Sequence, residues 1–192
     1  MSGWTTHKGS AVAFLRDGID TDQIIPARFM STPRSEGYGG FLFHDLRGDD
    51  FPLSRHPEAS VLIAGANFGS GSSREAAVYA LVDFGIRAVI APSFGDIFAS
   101  NAVNNGLLPA RVPADALSAL GPDPMSASVD LAAATVTLGE QTIPFEIDPI
   151  WREKLMNGWD DIDLTRQHDP AIAAYAKRLT ETQPWRFPAI AG

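Results

Sequence analysis

The segment from residue 61 to residue 84 constrains the fold of this chain most, because an apolar run, a glycine-rich loop and a helical pattern follow one another in it. The apolar run predicts a buried strand. Three glycines within residues 65–75 permit tight backbone conformations and the close approach of another molecule. Ser72, Ser73 and Arg74 then lie at the start of the predicted helix, where unpaired backbone N–H groups favour an anion. The segment therefore predicts a strand–loop–helix unit that binds a carboxylate or a phosphate.

A purely structural role for the same loop is the alternative. Ser72 or Ser73 could cap the helix while the glycines form a turn. Three better-known loop motifs are absent from the segment, since it has no Gly-Lys-Ser/Thr, no Gly-x-Gly-x-x-Gly and no Gly-x-Ser-x-Gly. The sequence therefore supports neither a nucleotide-binding loop, nor a dinucleotide fold, nor the nucleophile turn of a hydrolase.

Strand and helix patterns alternate around this unit and predict an α/β fold with parallel strands and right-handed crossovers. The predicted strands are residues 9–16, 60–64, 87–91 and 107–112, and the predicted helices are residues 73–84, 94–103, 113–120, 149–157 and 169–180. An antiparallel hairpin of residues 128–138 and 142–147, turning at Gly139, makes the predicted sheet mixed. We find no internal repeat and no low-complexity linker, and so expect one domain over residues 1–192.

The formal net charge of −8 argues against a nucleic-acid partner, which needs a basic patch, and against attachment to an anionic membrane. No apolar run is long enough to span a bilayer, and the first residues lack the apolar stretch of a secretory signal. We therefore expect a cytoplasmic protein with a small-molecule ligand.

The chain contains no cysteine, which excludes disulfides, a cysteine nucleophile and any thiolate-held metal centre built from this chain. Its four histidines show no helical metal-binding spacing, so we expect no metal site here. If the chemistry requires a metal cofactor, a partner chain must supply its ligands.

The polar residues around the loop suit the removal of a proton beside a carboxylate. Arg74 and Arg34 can each bind a carboxylate through parallel hydrogen bonds, and Asp22 supplies an acid. A serine at a helix N-terminus has its oxyanion stabilised and can act as a base beside another positive centre. The set contains no electrophile strong enough to help hydroxide leave. A metal ion held by another chain would be such an electrophile. Asp20 and Asp22 could instead simply cap a turn.

Several motifs, in their order along the chain, resemble those of the aconitase superfamily. The motifs are Asp20-Thr-Asp-Gln-Ile-Ile-Pro26, Gly69-Ser-Gly-Ser-Ser-Arg-Glu75, Ser93-Phe-Gly-Asp-Ile-Phe98 with Asn101, and Asn105-Gly-Leu-Leu-Pro109. The later stretches Phe145-Glu-Ile-Asp148, Asn157-Gly-Trp-Asp160 and Asp163-Leu-Thr165 are similar to those of the small subunits of 3-isopropylmalate dehydratase. The resemblance covers the chain from about residue 17 to residue 185.

This resemblance implies a swivelling β/β/α domain like the C-terminal domain of aconitase, with a mixed sheet and flanking helices. It also implies a separate large subunit that carries a [4Fe-4S] cluster, and no cofactor bound by this chain. The implied reaction is a hydro-lyase reaction that interconverts 2- and 3-isopropylmalate by dehydration and rehydration in leucine biosynthesis.

Residue roles follow from the resemblance position by position. Ser72 corresponds to the base and Asp22 to the active-site aspartate, so these two are the expected catalytic residues. Ser73 and Arg74 correspond to residues that hold the substrate, and Arg34 corresponds to a carboxylate-binding arginine. The loop that contains Arg34 varies with substrate in this family, and its glycines suggest a mobile lid.

The chain departs from the family pattern at two positions. Ala76 stands where the family usually has histidine, and Ser70 stands where small subunits often have cysteine. A related dehydratase acting on another hydroxydicarboxylate, such as a methylmalate, therefore remains an alternative. A non-catalytic anion-binding module on the same scaffold is the second alternative, against which the retained Ser72, Ser73 and Arg74 argue.

Overall fold

The computed structural model describes residues 2–71, 74–118, 120–121 and 123–186 of the 192-residue chain. These residues form a seven-stranded mixed sheet in the order β4-β3-β2-β1-β5-β6-β7. The strands are β1 Thr6–Phe14, β2 Val61–Ala64, β3 Ala88–Ala91, β4 Leu108–Arg111, β5 Met125–Asp130, β6 Thr135–Leu138 and β7 Gln141–Pro144. The helices are α1 Thr21–Ile24, α2 Pro52–Arg55, α3 Glu75–Phe84, α4 Asp96–Asn104, α5 Ala114–Ser118, α6 Pro149–Asn157, α7 Asp161–Arg166 and α8 Asp169–Thr182.

The first four strands run parallel, as the alternating pattern predicts. Both faces of β2 and β3 are covered, which is why these two strands are apolar throughout rather than alternating. In β2, Val61 and Ile63 belong to one core and Leu62 and Ala64 to the other. Successive side chains of a strand point to opposite faces, so β2 contributes side chains to both cores.

The other three strands are antiparallel, and here the prediction of a single strand over residues 128–138 is wrong. The chain turns between β5 and β6, where the Asp130 carboxylate accepts a hydrogen bond from the Ala133 N–H at 2.9 Å. Ala134 follows in the left-handed region at φ 52°. The predicted turn at Gly139 is confirmed, so two successive hairpins replace the one expected.

The sheet curls until its two edges meet. The backbone N–H of Glu146, just after β7, donates to the carbonyl of Arg111 in β4 at 2.8 Å, and the Arg111 N–H donates back at 3.3 Å. The curl encloses one core, and α3 and α4 pack with the other core against the outer face of the parallel strands. No helix in the described part of the chain is both long and apolar enough to cross a membrane.

Short helices that lack a long apolar period escaped prediction from the sequence. The helix α7 begins at a capping box in which Asp160 accepts from the Asp163 N–H and Asp163 accepts from the Asp160 N–H. The small helix α1 begins at a similar box formed by Asp20 and Gln23. Such caps satisfy the backbone donors that a helix start leaves unpaired, so helices of four to six residues persist.

Candidate active site

Loops that follow the first three strands meet at the carboxyl edge of the parallel sheet. The Gly69 N–H donates to the Ile19 carbonyl at 2.7 Å, and the Thr21 N–H donates to the Ser70 carbonyl at 3.0 Å. These bonds join the loop after β1 to the glycine-rich loop after β2. The carboxyl edge of parallel strands is where α/β proteins place their ligands, so this junction is the candidate active site.

The loop after β3 completes the junction. The Phe68 N–H donates to the Ser93 carbonyl at 3.1 Å, and the Gly95 N–H donates to the Phe68 carbonyl at 2.9 Å. This close approach requires glycine, because a Cβ at Gly95 would lie 2.6 Å from the Gly69 carbonyl oxygen. Gly69 itself has φ +74°, and a Cβ there would lie 2.2 Å from Cγ of Phe98. The glycines therefore serve both backbone conformation and packing.

Asp20 and Asp22 have different surroundings. The Asp20 carboxylate accepts a hydrogen bond from the Gln23 N–H at 2.7 Å, which is the capping role that the sequence left open. Asp22, in the first turn of α1, instead receives a hydrogen bond from Nη1 of Arg74. Its side chain is 53% exposed and that of Arg74 is 25% exposed, so the pair lies at the surface of the loop junction. The structure thus brings together two of the five predicted site residues.

Ser72 and Ser73 lie outside the residues that the structure describes. In the sequence they come directly before Arg74, which is the N-cap of α3. The interpretation in which one of the two serines is the N-cap is therefore wrong. In the sequence both serines directly precede this ten-residue helix, whose N-terminal N–H groups and dipole favour negative charge.

Arg34 lies on the side of α3 rather than beside Asp22. Its guanidinium carbon is 3.4 Å from the centroid of the Tyr79 ring, and its Nη2 is 3.8 Å from Oδ1 of Asp83. The loop of residues 27–41 forms three short 3₁₀ turns at Ala27–Ser31, Arg34–Glu36 and Gly39–Phe41, and the last of these packs against α3.

The sequence analysis did not single out Tyr79 and Asp83. Their spacing from Glu75 was the available signal, since positions four and eight residues apart share one face of a helix. Burial raises the pKa of the Tyr79 phenol, and a hydrogen bond to the Glu75 carboxylate raises it further. Glu75 also accepts a hydrogen bond from the Asn105 amide at 2.9 Å. One face of α3 thus carries a chain of polar contacts from the helix start to Arg34.

The described residues contain no group of three or more His, Cys, Asp or Glu side chains able to hold a metal ion. The glycine-rich loop borders an open cavity of about 190 Å³ together with residues 95–98. A larger cavity of about 360 Å³ lies near the end of β4, between Arg111 and Trp151. In the described part of the chain, the candidate site is therefore an open surface of backbone N–H groups and charged side chains beside the smaller of these two cavities.

Comparison with known proteins identifies the class of this fold and site. Residues 49–115, which include the glycine-rich loop, match the family model of the aconitase C-terminal domain. A crystal structure of 3-isopropylmalate dehydratase from Methanocaldococcus jannaschii superposes with a TM-score of 0.70 at 32% identity, covering 88% of this chain and 99% of that one. The protein is thus an α/β protein of the aconitase C-terminal type, as its sequence motifs imply.

The full-length relatives define the family more narrowly. The chain is 43% identical over 189 residues to the 3-isopropylmalate dehydratase small subunit of Lactococcus lactis subsp. cremoris, covering 93% of this chain and 99% of the relative. It is 45% identical over 183 residues to the protein of the same name from Frankia alni, covering 91% of this chain and 94% of the relative. Residues 161–189 also match the model of the C-terminal domain of that small subunit. The chain belongs to the family of 3-isopropylmalate dehydratase small subunits.

Proposed function

We propose that this chain is the small subunit of a hydro-lyase that interconverts 2-isopropylmalate and 3-isopropylmalate in leucine biosynthesis. The observation that carries the proposal is the 43% identity to a protein of that name across 99% of its length. The Asp22–Arg74 pair at the carboxyl edge of the sheet adds physical support, because it places a carboxylate-binding group where the fold receives ligands.

The proposed enzyme divides its chemistry between two chains. This chain has no cysteine, so thiolate ligands for an iron–sulfur cluster must come from elsewhere. We assign a [4Fe-4S] cluster to the large subunit, where it would supply the Lewis acid that helps hydroxide leave. The open form of the cavity beside the glycine-rich loop suits a site that another chain completes.

The residues of this chain would then handle the substrate's proton and its carboxylates. Ser72 is the proposed base, because the N-terminus of α3 and Arg74 stabilise negative charge on an oxygen at this place. Ser73 is proposed to donate a hydrogen bond to a substrate carboxylate. Asp22 is proposed as the active-site carboxylate that holds the Arg74 guanidinium in position.

Arg74 and Arg34 are the two arginines that we propose to bind the carboxylates of the substrate. Arg74 lies at the start of α3, and Arg34 lies over Tyr79 of the same helix. We place the reaction in the cytoplasm, with no nucleic acid or membrane partner.

The test is reconstitution with a cluster-loaded large subunit from a relative, followed by assays with 2-isopropylmalate and with a methylmalate. The proposal expects no turnover by this chain alone, turnover of isopropylmalate by the pair, and a lower kcat/KM for methylmalate. A higher kcat/KM for methylmalate would assign the chain to a related dehydratase. If the two subunits form a complex that turns over neither compound, the remaining alternative is that this chain is a non-catalytic anion-binding module.

A further inference from the structure

The Arg34 guanidinium lies flat against an aromatic ring. Its central carbon is 3.4 Å from the centroid of Tyr79, while its nearest carboxylate oxygen, on Asp83, is 3.8 Å away. The separation from Asp83 is too long for a hydrogen bond, whereas the guanidinium lies within the range of a cation–π contact. Stacking occupies the face of a guanidinium and leaves the N–H donors along its edge available for a planar carboxylate.

The backbone around Arg34 is fastened to the same helix. The Tyr38 N–H donates to Oδ2 of Asp83 at 2.9 Å, and the Tyr38 hydroxyl donates to the Thr32 carbonyl at 2.8 Å. Gly39 touches the end of α3 so closely that a Cβ there would lie 2.7 Å from the backbone nitrogen of Phe84. Asp83 thus anchors the loop, and the loop brings Arg34 to the Tyr79 ring.

The Tyr79 hydroxyl makes further contacts. It interacts with Glu75 and with Arg34, and Glu75 accepts a hydrogen bond from Asn105 at 2.9 Å. Glu75 follows Arg74 directly at the start of α3. The ring therefore has a fixed position relative to the Asp22–Arg74 pair, and it fixes the Arg34 guanidinium relative to that pair as well.

We propose that Tyr79 is a positioning residue for substrate binding: its ring holds the Arg34 guanidinium so that the donor edge faces a substrate carboxylate. This inference rests on the proposed function, because the carboxylate belongs to the substrate of that reaction. The ring adds no chemistry of its own. Its contribution is to order a long side chain before the substrate arrives, which lowers the entropy cost of binding.

The test compares Tyr79→Leu, which removes the ring, with Tyr79→Phe, which keeps the ring and removes the hydroxyl. In the reconstituted enzyme, Tyr79→Leu should raise KM about five- to tenfold with kcat changed less than about twofold. Tyr79→Phe keeps the ring but loses the hydroxyl contacts with Glu75 and Arg34, so it should raise KM less than about threefold. In an Arg34→Ala background, Tyr79→Leu should raise KM no further, because its effect acts through Arg34. An equal rise in both backgrounds, or no rise in either, would overturn the proposal.

A second measurement needs neither the large subunit nor activity. In the isolated chain, the Arg34 side-chain N–H resonance should carry the ring-current shift of a stacked guanidinium, keep it in Tyr79→Phe and lose it in Tyr79→Leu. A resonance without that shift in the wild-type chain would overturn the inference even if isopropylmalate is turned over. Conversely, a shifted resonance in a pair that turns over no isopropylmalate would show that the proposed function has failed while the ring contact is real.

Discussion

Asp22 and Arg74 form an ion pair although they are 52 positions apart in the chain. Asp22 lies in the first turn of α1, after β1, and Arg74 caps α3, after β2. The two strands are parallel neighbours, so the segments that follow them emerge at the same edge of the sheet. The fold thereby places an acid beside the proposed substrate-binding cation, and both side chains are partly exposed.

Substitution of this pair should affect turnover far more than stability. Asp22→Asn and Arg74→Lys should each lower kcat/KM of the reconstituted enzyme by about 100-fold, because small displacements of a substrate-binding group are costly. The free energy of unfolding of the isolated chain should fall by less than about 1 kcal/mol, since the pair is partly exposed. Steady-state kinetics and urea unfolding measure the two effects. Variants with full turnover would show that the pair only joins the loops.

The glycine-rich loop should be sensitive to a single added methyl group at Gly69. Gly69→Ala combines an unfavourable φ of +74° with a Cβ 2.2 Å from the Phe98 ring, whereas Gly18→Ala has φ +66° and nothing within 4 Å. We expect a cost of about 3 kcal/mol at Gly69 and about 1 kcal/mol at Gly18, because only the first overpacks a buried ring. Thermal and urea unfolding of both variants provide the comparison. Equal costs would mean that the Phe98 ring moves aside freely.

The parallel strands and their two helices were predictable because each is a short apolar run or a clear helical stripe between glycines. The turn between β5 and β6 was missed because it contains neither glycine nor proline and depends on the Asp130 side chain. The roles proposed for Asp22 and Arg74 come from motif resemblance, whereas their pairing depends on the order of the strands. The Arg34–Tyr79 contact joins a loop to a helix, and no local pattern encodes it.

The buried Lys154 should make its partner Asp161 important for stability. Lys154 is 3% exposed, and its ammonium donates to Oδ1 of Asp161 at 2.5 Å and to the Asn104 amide oxygen. Asp161→Ala should cost about 2 kcal/mol, because it leaves a buried charge poorly compensated, although exposure of the aspartate limits the loss. Lys154→Met should stay within about 1 kcal/mol of wild type, since it removes the buried charge itself. Urea unfolding of both variants measures these costs. A larger loss of unfolding free energy for Lys154→Met than for Asp161→Ala would contradict the prediction.

The same contact gives stability a dependence on acid. The hydrogen bond from Lys154 holds the pKa of Asp161 below its ordinary value of 3.8. As the pH falls, the Asp161 carboxylate therefore binds a proton in the unfolded chain before it does so in the folded chain. The stability that the pair contributes is present above pH 3.8 and is lost as the pH falls through the lowered folded-state pKa. Unfolding free energies of wild type and Asp161→Ala should accordingly converge in acid. A constant difference at all pH values would contradict this assignment.

His7 should produce a separate dependence nearer neutral pH. Burial, with the positive charge of Arg87, lowers the pKa of the His7 imidazole from 6.5. The unfolded chain then binds the proton more readily, so stability should fall as the pH drops from 6.5 toward the lower folded-state pKa and level off below it. His7→Gln should lack this fall, which unfolding curves between pH 7 and pH 4 would detect. A variant with the wild-type slope would assign the effect to another group.

The central claim is that this chain supplies the base for a reaction completed by a second subunit. Its most direct test is the rate of conversion of 2-isopropylmalate to 3-isopropylmalate by a cluster-loaded large subunit reconstituted with Ser72→Ala, with Ser70→Ala as the control. We expect kcat to fall at least about 100-fold for Ser72→Ala, with complex formation retained, because a general base contributes that much. Ser70→Ala should remain close to wild type, because the hydrogen bonds by which Ser70 joins the two loops in the described structure come from its backbone. Wild-type turnover by a Ser72→Ala complex would contradict the account.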